Sequence, residues 1–211
     1  MEKPDLSGAY ALNGPEECRR LYADWADSYD ADFAAGMDYR LPAEVAAAFL
    51  RSGPAGGAVL DVGAGTGLLG AALRALGHEG PIDGLDISTH MLEKAARKRI
   101  YRNLFVADVT QRIECATRYA GIVSSGTFTH GHVGPEALGP LLELAAAGAV
   151  VALSVNAAVW EDKGFDAALE ALVPRLTDVT IDEVAIYGEA ARLRDPAHAA
   201  DRARILRFRL P

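Results

Sequence analysis

The segment VLDVGAGTGLLG, residues 59–70, sets three glycines at alternate positions behind an apolar run that carries one acid, Asp61. Short apolar runs bounded by glycine read as buried strands, and GLLGAALRALG behind it has the apolar spacing of a helix stopped by Gly77. The unit is strand, tight loop, helix. Outward from it the same alternation repeats: PIDGLDI then THMLEKAARKR, LFVADV then a short helix or turn to residue 117, YAGIVSS then GPEALGPLLELAAA, and AVVALSV then the largely helical EDKGFDAALEALVPRL. Five such repeats predict a parallel sheet covered on both faces. Right-handed crossovers leave a doubly wound open sheet or a closed barrel, and eight repeats are absent, so the open sheet is expected. Two closing strands, TDVTIDEVAIYG and RARILRFRL, alternate polar and apolar residues and predict an antiparallel pair at the sheet edge.

Before the sheet lies a different region. PEECRRLYADWADSYDADFAAG (15–36) reads as one helix with Leu21, Trp25 and Tyr29 along a single face, and PAEVAAAFLRS reads as a second that starts at Pro42 and stops before Gly53. Residues 1–40 are therefore expected as a helical segment and 41–211 as the α/β domain. A length of 211 residues suits one such domain.

The net charge of −8 provides no basic field for a phosphate backbone, and the basic run KAARKR (94–99) has helical spacing and reads as a solvated face. Nucleic acid and anionic membrane are not expected as partners; a small molecule is, and nothing in the sequence sets the oligomeric state. The two cysteines, Cys18 and Cys115, lie far apart without Cys or His neighbours at ligand spacing, so neither a disulfide framework nor a metal site is expected. MEKPDLSGAY lacks the basic start and apolar core of a signal peptide, and LLELAAAGAVVALSV (141–155) is shorter than a membrane span and carries Glu143. A cytoplasmic protein is the expectation.

The glycine loop admits three ligands: a nucleotide phosphate, a dinucleotide, or S-adenosylmethionine (SAM). The phosphate loop needs a lysine after its last glycine, and Gly67 is followed by Leu68 and Leu69. The dinucleotide fingerprint meets Leu68 where its third glycine should permit close helix–strand packing. The pattern present is D-x-G-x-G-x-G, with Asp61, Gly63, Gly65 and Gly67 around Ala64. A strand-end acid repels a pyrophosphate but helps to hold an ammonium group, which SAM carries.

This segment resembles motif I of class I SAM-dependent methyltransferases, a Rossmann-like family, and two later motifs agree in order. IDGLDIS puts Asp86 at the end of the second strand, where the family's acid binds both ribose hydroxyls. LFVADV puts Asp108 after the third, where the family's acid meets the adenine amino group. The resemblance implies that Ile87 and Val109 sandwich the adenine, with Met91 beside them and Ser124 at the end of the fourth strand. YDAD…MDYR, GLDISTHML and VSSGTFTHGHVG are similar, more narrowly, to methyltransferases related to the Williams–Beuren syndrome region protein. Competing readings stay open: the glycines as a plain tight turn, Asp86 as a helix-start acid with Ser88 as cap, and Asp108 as a cap for the next helix.

The 15–36 helix then either docks on the domain through Trp25 and Tyr29 or closes as a lid over the cofactor, with a Tyr22 or Tyr29 hydroxyl at the methionine carboxylate. SSGTFTHGHVG (124–134) leaves the fourth strand at the ligand-binding edge and holds His130 and His132, two of five histidines. A neutral imidazole there can take a proton from an attacking hydroxyl or amine, or merely cap backbone groups. Asn156 and Trp160, after the fifth strand, would shape an acceptor pocket. Two other functions remain at this point, a nicotinamide-dependent oxidoreductase and a SAM-binding protein without catalysis. Against the oxidoreductase stand Leu68, Asp61 and the lack of a Tyr-x-x-x-Lys pair.

Overall fold

The computed structural model describes residues 5–12 and 14–211, so residues 1–4 and 13 of the expected helical segment lie outside the description. Seven strands form one sheet: β1 (Val59–Val62), β2 (Ile82–Asp86), β3 (Asn103–Val106), β4 (Tyr119–Phe128), β5 (Ala145–Asn156), β6 (Thr177–Ala185) and β7 (Arg202–Arg209), in the order β3-β2-β1-β4-β5-β7-β6. Strands β1 to β5 pair in parallel, and β7 runs antiparallel to both neighbours. This is the doubly wound, mostly parallel α/β sheet that the alternation implies. The winding reverses between β1 and β4, and a crevice opens there at the strands' carboxyl ends.

Side chains of period two divide the core. Leu60, Val62, Ile122, Val151, Leu153 and Leu206 face α6 (Leu138–Leu142), α7 (Ala157–Asp162) and α8 (Phe165–Leu172). On the opposite face Val59, Ile82, Val123, Val150 and Ile205 meet α3 (Leu41–Arg51) and α4 (Leu68–Ala75). Between α4 and the short edge strand β3, α5 (Thr89–Arg97) begins at Ser88, whose Oγ accepts from the Met91 N–H at 3.4 Å.

Two local expectations are corrected. The expected helix 15–36 is broken into α2 (Pro15–Trp25) and a π-helical turn, Tyr29–Ala35, because Trp25 and Phe33 must both reach one apolar cluster with Ile186 and Tyr187. It is preceded by an unforeseen turn of helix, α1 (Leu6–Tyr10), capped by Asp5. Of the short helix or turn expected between β3 and β4 the structure has the turn, which Asp108 closes onto Thr110. The helix before β5 also ends earlier than expected, so that Ala145 and its neighbours extend the strand.

The closing strands form the expected antiparallel pair at the edge of the sheet. β7 lies inside the sheet, with Ala203, Ile205, Leu206 and Phe208 buried, and β6 is the edge. Residues 186–201, including α9 (Ala191–Arg194), form the connection that makes this possible. β6 carries Asp182 and Glu183, which accept from Arg207 and Arg202 of β7, and a charged edge strand resists pairing with other chains. No helix among the described residues is long and apolar enough to cross a membrane.

Candidate functional site

The loop after β1 has two positions at which backbone geometry and neighbours exclude a side chain. Gly63 sits at φ +67°, and a Cβ there would collide with Thr127 Oγ1. Gly67, at φ +90°, starts α4 in the left-handed region, with the Tyr101 ring 3.0 Å from where a Cβ would be. Alanine is strained at both positions. The loop thus lies flat against β4, and the space above it stays open.

That space is a cavity of about 530 Å³, within the range of small-molecule sites. Its floor is Gly63 to Thr66, with Asp86 and Ile87 after β2 and Asp108 and Val109 after β3 on one side. Leu85, Met91 and Ala107 supply apolar wall, while Ser125 to Thr127, Gly131 and His132 close the side beyond β4. Cys18, Tyr22, Tyr29 and Tyr39 roof it from the N-terminal segment.

Asp86 is held by two backbone donors, Gly65 N–H to Oδ2 and Ser88 N–H to Oδ1, each at 2.8 Å. Burial pushes its carboxyl above the ordinary range, and those N–H groups partly offset the shift. Each oxygen retains a lone pair for a ligand donor. Asp108 Oδ1 accepts from both the N–H and the hydroxyl of Thr110, at 2.9 and 2.7 Å. Ser88 thus caps α5, Asp108 closes a turn rather than a helix, and both acids line the cavity.

The roof is tied down by charge. Lys98 Nζ donates to Asp30 Oδ2 and to the Thr66 carbonyl, both at 2.6 Å, while the Thr66 hydroxyl donates to Asp30 Oδ1 at 2.5 Å. Lys94 pairs with Asp27. The basic run that reads as a solvated face is instead where the acids of the N-terminal segment land. Solvent screens pairs this exposed, so they register the segment more than they anchor it. The π-helical turn is anchored by Phe33 and Met37, buried with Leu41, Ile186 and Tyr187.

On hydrogen exchange, the inner face of α2 is expected to gain protection when ligand fills the cavity, because Cys18 and Tyr22 line it. The turn at 29–37 should exchange slowly with or without ligand. Equal protection of α2 in both states would reduce the segment to packing.

His132 lies across the cavity from the glycine loop. Its Nδ1–H donates to the His130 carbonyl at 2.5 Å, and its Nε2 lies 3.1 Å from the Tyr22 hydroxyl. A carbonyl only accepts, so the proton is on Nδ1 and Nε2 accepts from Tyr22. Burial lowers the imidazole's affinity for a second proton. Burial likewise holds the Tyr22, Tyr29 and Tyr39 phenols protonated.

Seven of the residues singled out in the sequence lie off the main cavity. Asp61 is 1% exposed behind the loop, where it accepts from the Tyr101 hydroxyl at 2.6 Å, because its strand position points it under α4. Gly67 belongs to the α4 start, and Ser124 is buried with its Oγ on the Val62 carbonyl at 2.7 Å, tying β4 to β1. Trp25 sits one layer behind Tyr29, 5.3 Å between rings. His130 turns away from the main cavity and packs on Tyr10 at 4.7 Å. Asn156 caps α7, accepting from the Ala158 N–H at 3.0 Å, and borders a smaller space of about 40 Å³. Trp160 is wholly buried and donates to Asp166 at 2.8 Å, since α7 turns its apolar face into the core.

The cavity in turn includes Cys18, Tyr39, Thr127 and Gln111, to which the sequence pattern assigns no role of their own. Only the fold brings them there.

Burial pushes the Asp61 carboxyl up to about 7. The unfolded chain releases this proton near pH 4, so between these values the folded chain holds a proton that the unfolded chain has lost. Its contribution to stability is full below about pH 4 and lost as pH rises through about 7. In thermal melts, Asp61→Asn is expected to gain on wild type between about pH 5 and about pH 8. A parallel pH dependence of the two proteins would place the charge elsewhere.

Comparison with known proteins supplies the remaining context. Residues 33–203 match the family described as "Methyltransferase domain". No curated protein matches the chain. Among solved structures, the N-methyltransferase NodS from Bradyrhizobium japonicum, in complex with S-adenosyl-L-homocysteine, superposes with a TM-score of 0.66 at 15% identity over 94% of this chain and 100% of that one. The magnesium protoporphyrin IX methyltransferase of Synechocystis with bound SAM gives 0.63 at 17% identity over 95% and 99%. These likenesses carry the fold, and the sequence match carries the family, which sets the oxidoreductase reading aside. With the family match covering most of its length and the glycine loop at the switch point of its sheet, the chain belongs to the methyltransferase-domain family.

Proposed function

We propose that the enzyme methylates a small-molecule acceptor in the cytoplasm, with SAM held in the cavity above the glycine loop. The observation that carries this reading is the Asp86 carboxylate, aimed into the cavity between Gly65 and Ile87 with a lone pair spare on each oxygen. A vicinal diol fits that pair of acceptors, and the side-chain-free floor at Gly63 and Gly65 fits a ligand lying close to backbone. Ile87, Met91 and Val109 form apolar surface for a flat ring, with Asp108 at its edge to accept from an exocyclic amine. Tyr29 on the roof is the donor for the methionine carboxylate, since the Tyr22 hydroxyl is committed to His132. The N-terminal segment serves as a lid, excluding water from the cavity.

Bound SAM supplies an activated methyl group on a sulfonium. The protein's task is then alignment, which in well-oriented reactions supplies ~7–11 kcal/mol of the barrier. Of the two histidines, His132 is the one that serves the acceptor, because His130 faces away. The net charge of −8 supports a small molecule rather than nucleic acid as acceptor. The finer kinship with the Williams–Beuren-related methyltransferases rests on the three quoted segments alone.

Calorimetry with SAM, S-adenosylhomocysteine and NADH tests the cofactor site: the two sulfur compounds should bind and NADH should not. Incubation of a metabolite extract with methyl-deuterated SAM, read by mass spectrometry, should then reveal a labelled small molecule. Binding of NADH with rejection of SAM would overturn the proposal.

A further inference from the structure

The Tyr22–His132 pair has a chemistry that reaches further than a contact. Tyr22 is on α2, in the N-terminal segment, and His132 is on the loop after β4, and their 3.1 Å contact joins the roof to the sheet. The His130 carbonyl fixes the tautomer, so Nε2 is an unprotonated base whose one neighbour at hydrogen-bond distance, among the described residues, is the Tyr22 hydroxyl. Both side chains line the cavity, and the Tyr22 oxygen, while donating to Nε2, can still accept. The charges around the cavity are one-sided. Among the described lining residues, Asp86 and Asp108 are carboxylates inside and Glu136 is one at the exposed rim, while lysine and arginine are absent. Near His132 the charged group is Lys163, whose Nζ donates outside the cavity to the His132 carbonyl at 3.1 Å.

We propose that the acceptor is a protic nucleophile, a hydroxyl or an amine on a molecule without negative charge at the reacting end, and that Tyr22 relays its proton to His132. This rests on the proposed methyl transfer and deepens it. As the acceptor's heteroatom bonds to the methyl carbon, the donor sulfur keeps the electron pair of the bond that breaks. The proton leaving the heteroatom passes to Tyr22 Oη while the phenol's own proton passes to His132 Nε2. The phenol is unchanged, and the imidazole ends as a cation whose Nδ1–H stays on the His130 carbonyl. A carboxylate acceptor carries no proton to remove and would leave the Tyr22–His132 pair without a role. Because half of the relay is on the segment that roofs the cavity, the base is complete only when that roof is closed.

Two measurements test the pair independently. Nitrogen-15 spectra of labelled histidine should show His132 neutral with the proton on Nδ1, and Tyr22→Phe should move the Nε2 resonance while leaving Nδ1–H in place. In the extract assay with methyl-deuterated SAM, wild type should yield methyl ethers or N-methyl products. Tyr22→Phe and His132→Gln should each form product at least tenfold more slowly, with SAM affinity in calorimetry within about twofold of wild type, and the low-pH limb of the wild-type rate should vanish in His132→Gln. Labelled carboxylate esters as products, full turnover by Tyr22→Phe, or a proton on Nε2 would each overturn the relay. Failure of wild type to bind SAM would instead overturn the cofactor site beneath it, and the spectra would still decide whether the pair exists.

Discussion

Asp86→Ala is expected to weaken SAM binding about ten- to hundredfold, or roughly 1.5–3 kcal/mol, the worth of two charge-assisted hydrogen bonds from the ribose diol. The carboxylate also receives the Gly65 and Ser88 N–H groups, so part of the loss will come from a loosened loop. Asp86→Asn separates the two contributions, because its amide keeps one acceptor for the backbone and loses the charge. Calorimetry gives the dissociation constants, and circular dichroism checks the fold. Diol donors favour the ionised carboxylate, and burial raises the free protein's Asp86 above the ordinary range. Affinity should therefore fall as pH drops through that raised value and recover above it. An unchanged dissociation constant in a folded Asp86→Ala protein would remove the ribose from this position.

Trp160→Ala should act on stability and leave the site alone. The ring is fully buried, stacks on Phe165 at 5.4 Å, donates to Asp166 and lies under Arg204 at 5.3 Å. Removing a side chain of this size from a packed core costs about 3–5 kcal/mol. At about 2–4 °C per kcal/mol for a domain of this length, the melting temperature should drop by about 6–20 °C. Trp160→Phe keeps most of the volume, loses the Asp166 bond, and should fall in between. SAM affinity of the folded fraction should equal that of wild type in both variants. A variant that melts normally and loses turnover would return Trp160 to the acceptor pocket, where its sequence position first suggests it.

Much of the fold was legible because it depends on local patterns. Apolar runs four to seven residues long between helical periods specify parallel strands wherever they occur. Gly63, Gly65 and Gly67 mark a backbone that must come close to something, and Asp86 and Asp108 stand at strand ends because that is where a doubly wound sheet presents side chains to a ligand. These are statements about spacing along the chain, and spacing is what sequence records. The failures share a cause as well. Asp61 and Trp160 sit beside the site in sequence, yet a one-residue difference in pleat or helix phase turns a side chain under α4 or into the core. The order of β7 and β6 within their antiparallel pair is a separate matter, on which strand pattern is silent and which the sixteen connecting residues leave open.

The sequence by itself determined the sheet, the glycine loop and the two strand-end acids. Only the tertiary structure decided which face each neighbouring side chain takes, that Lys94 and Lys98 meet Asp27 and Asp30, and that His132 rather than His130 faces the cavity with Tyr22. Local periodicity governs backbone conformation within a few residues. Contacts across 32 to 110 residues, such as Lys98 to Thr66 or His132 to Tyr22, depend on how the elements dock, and docking is set by packing over the whole core.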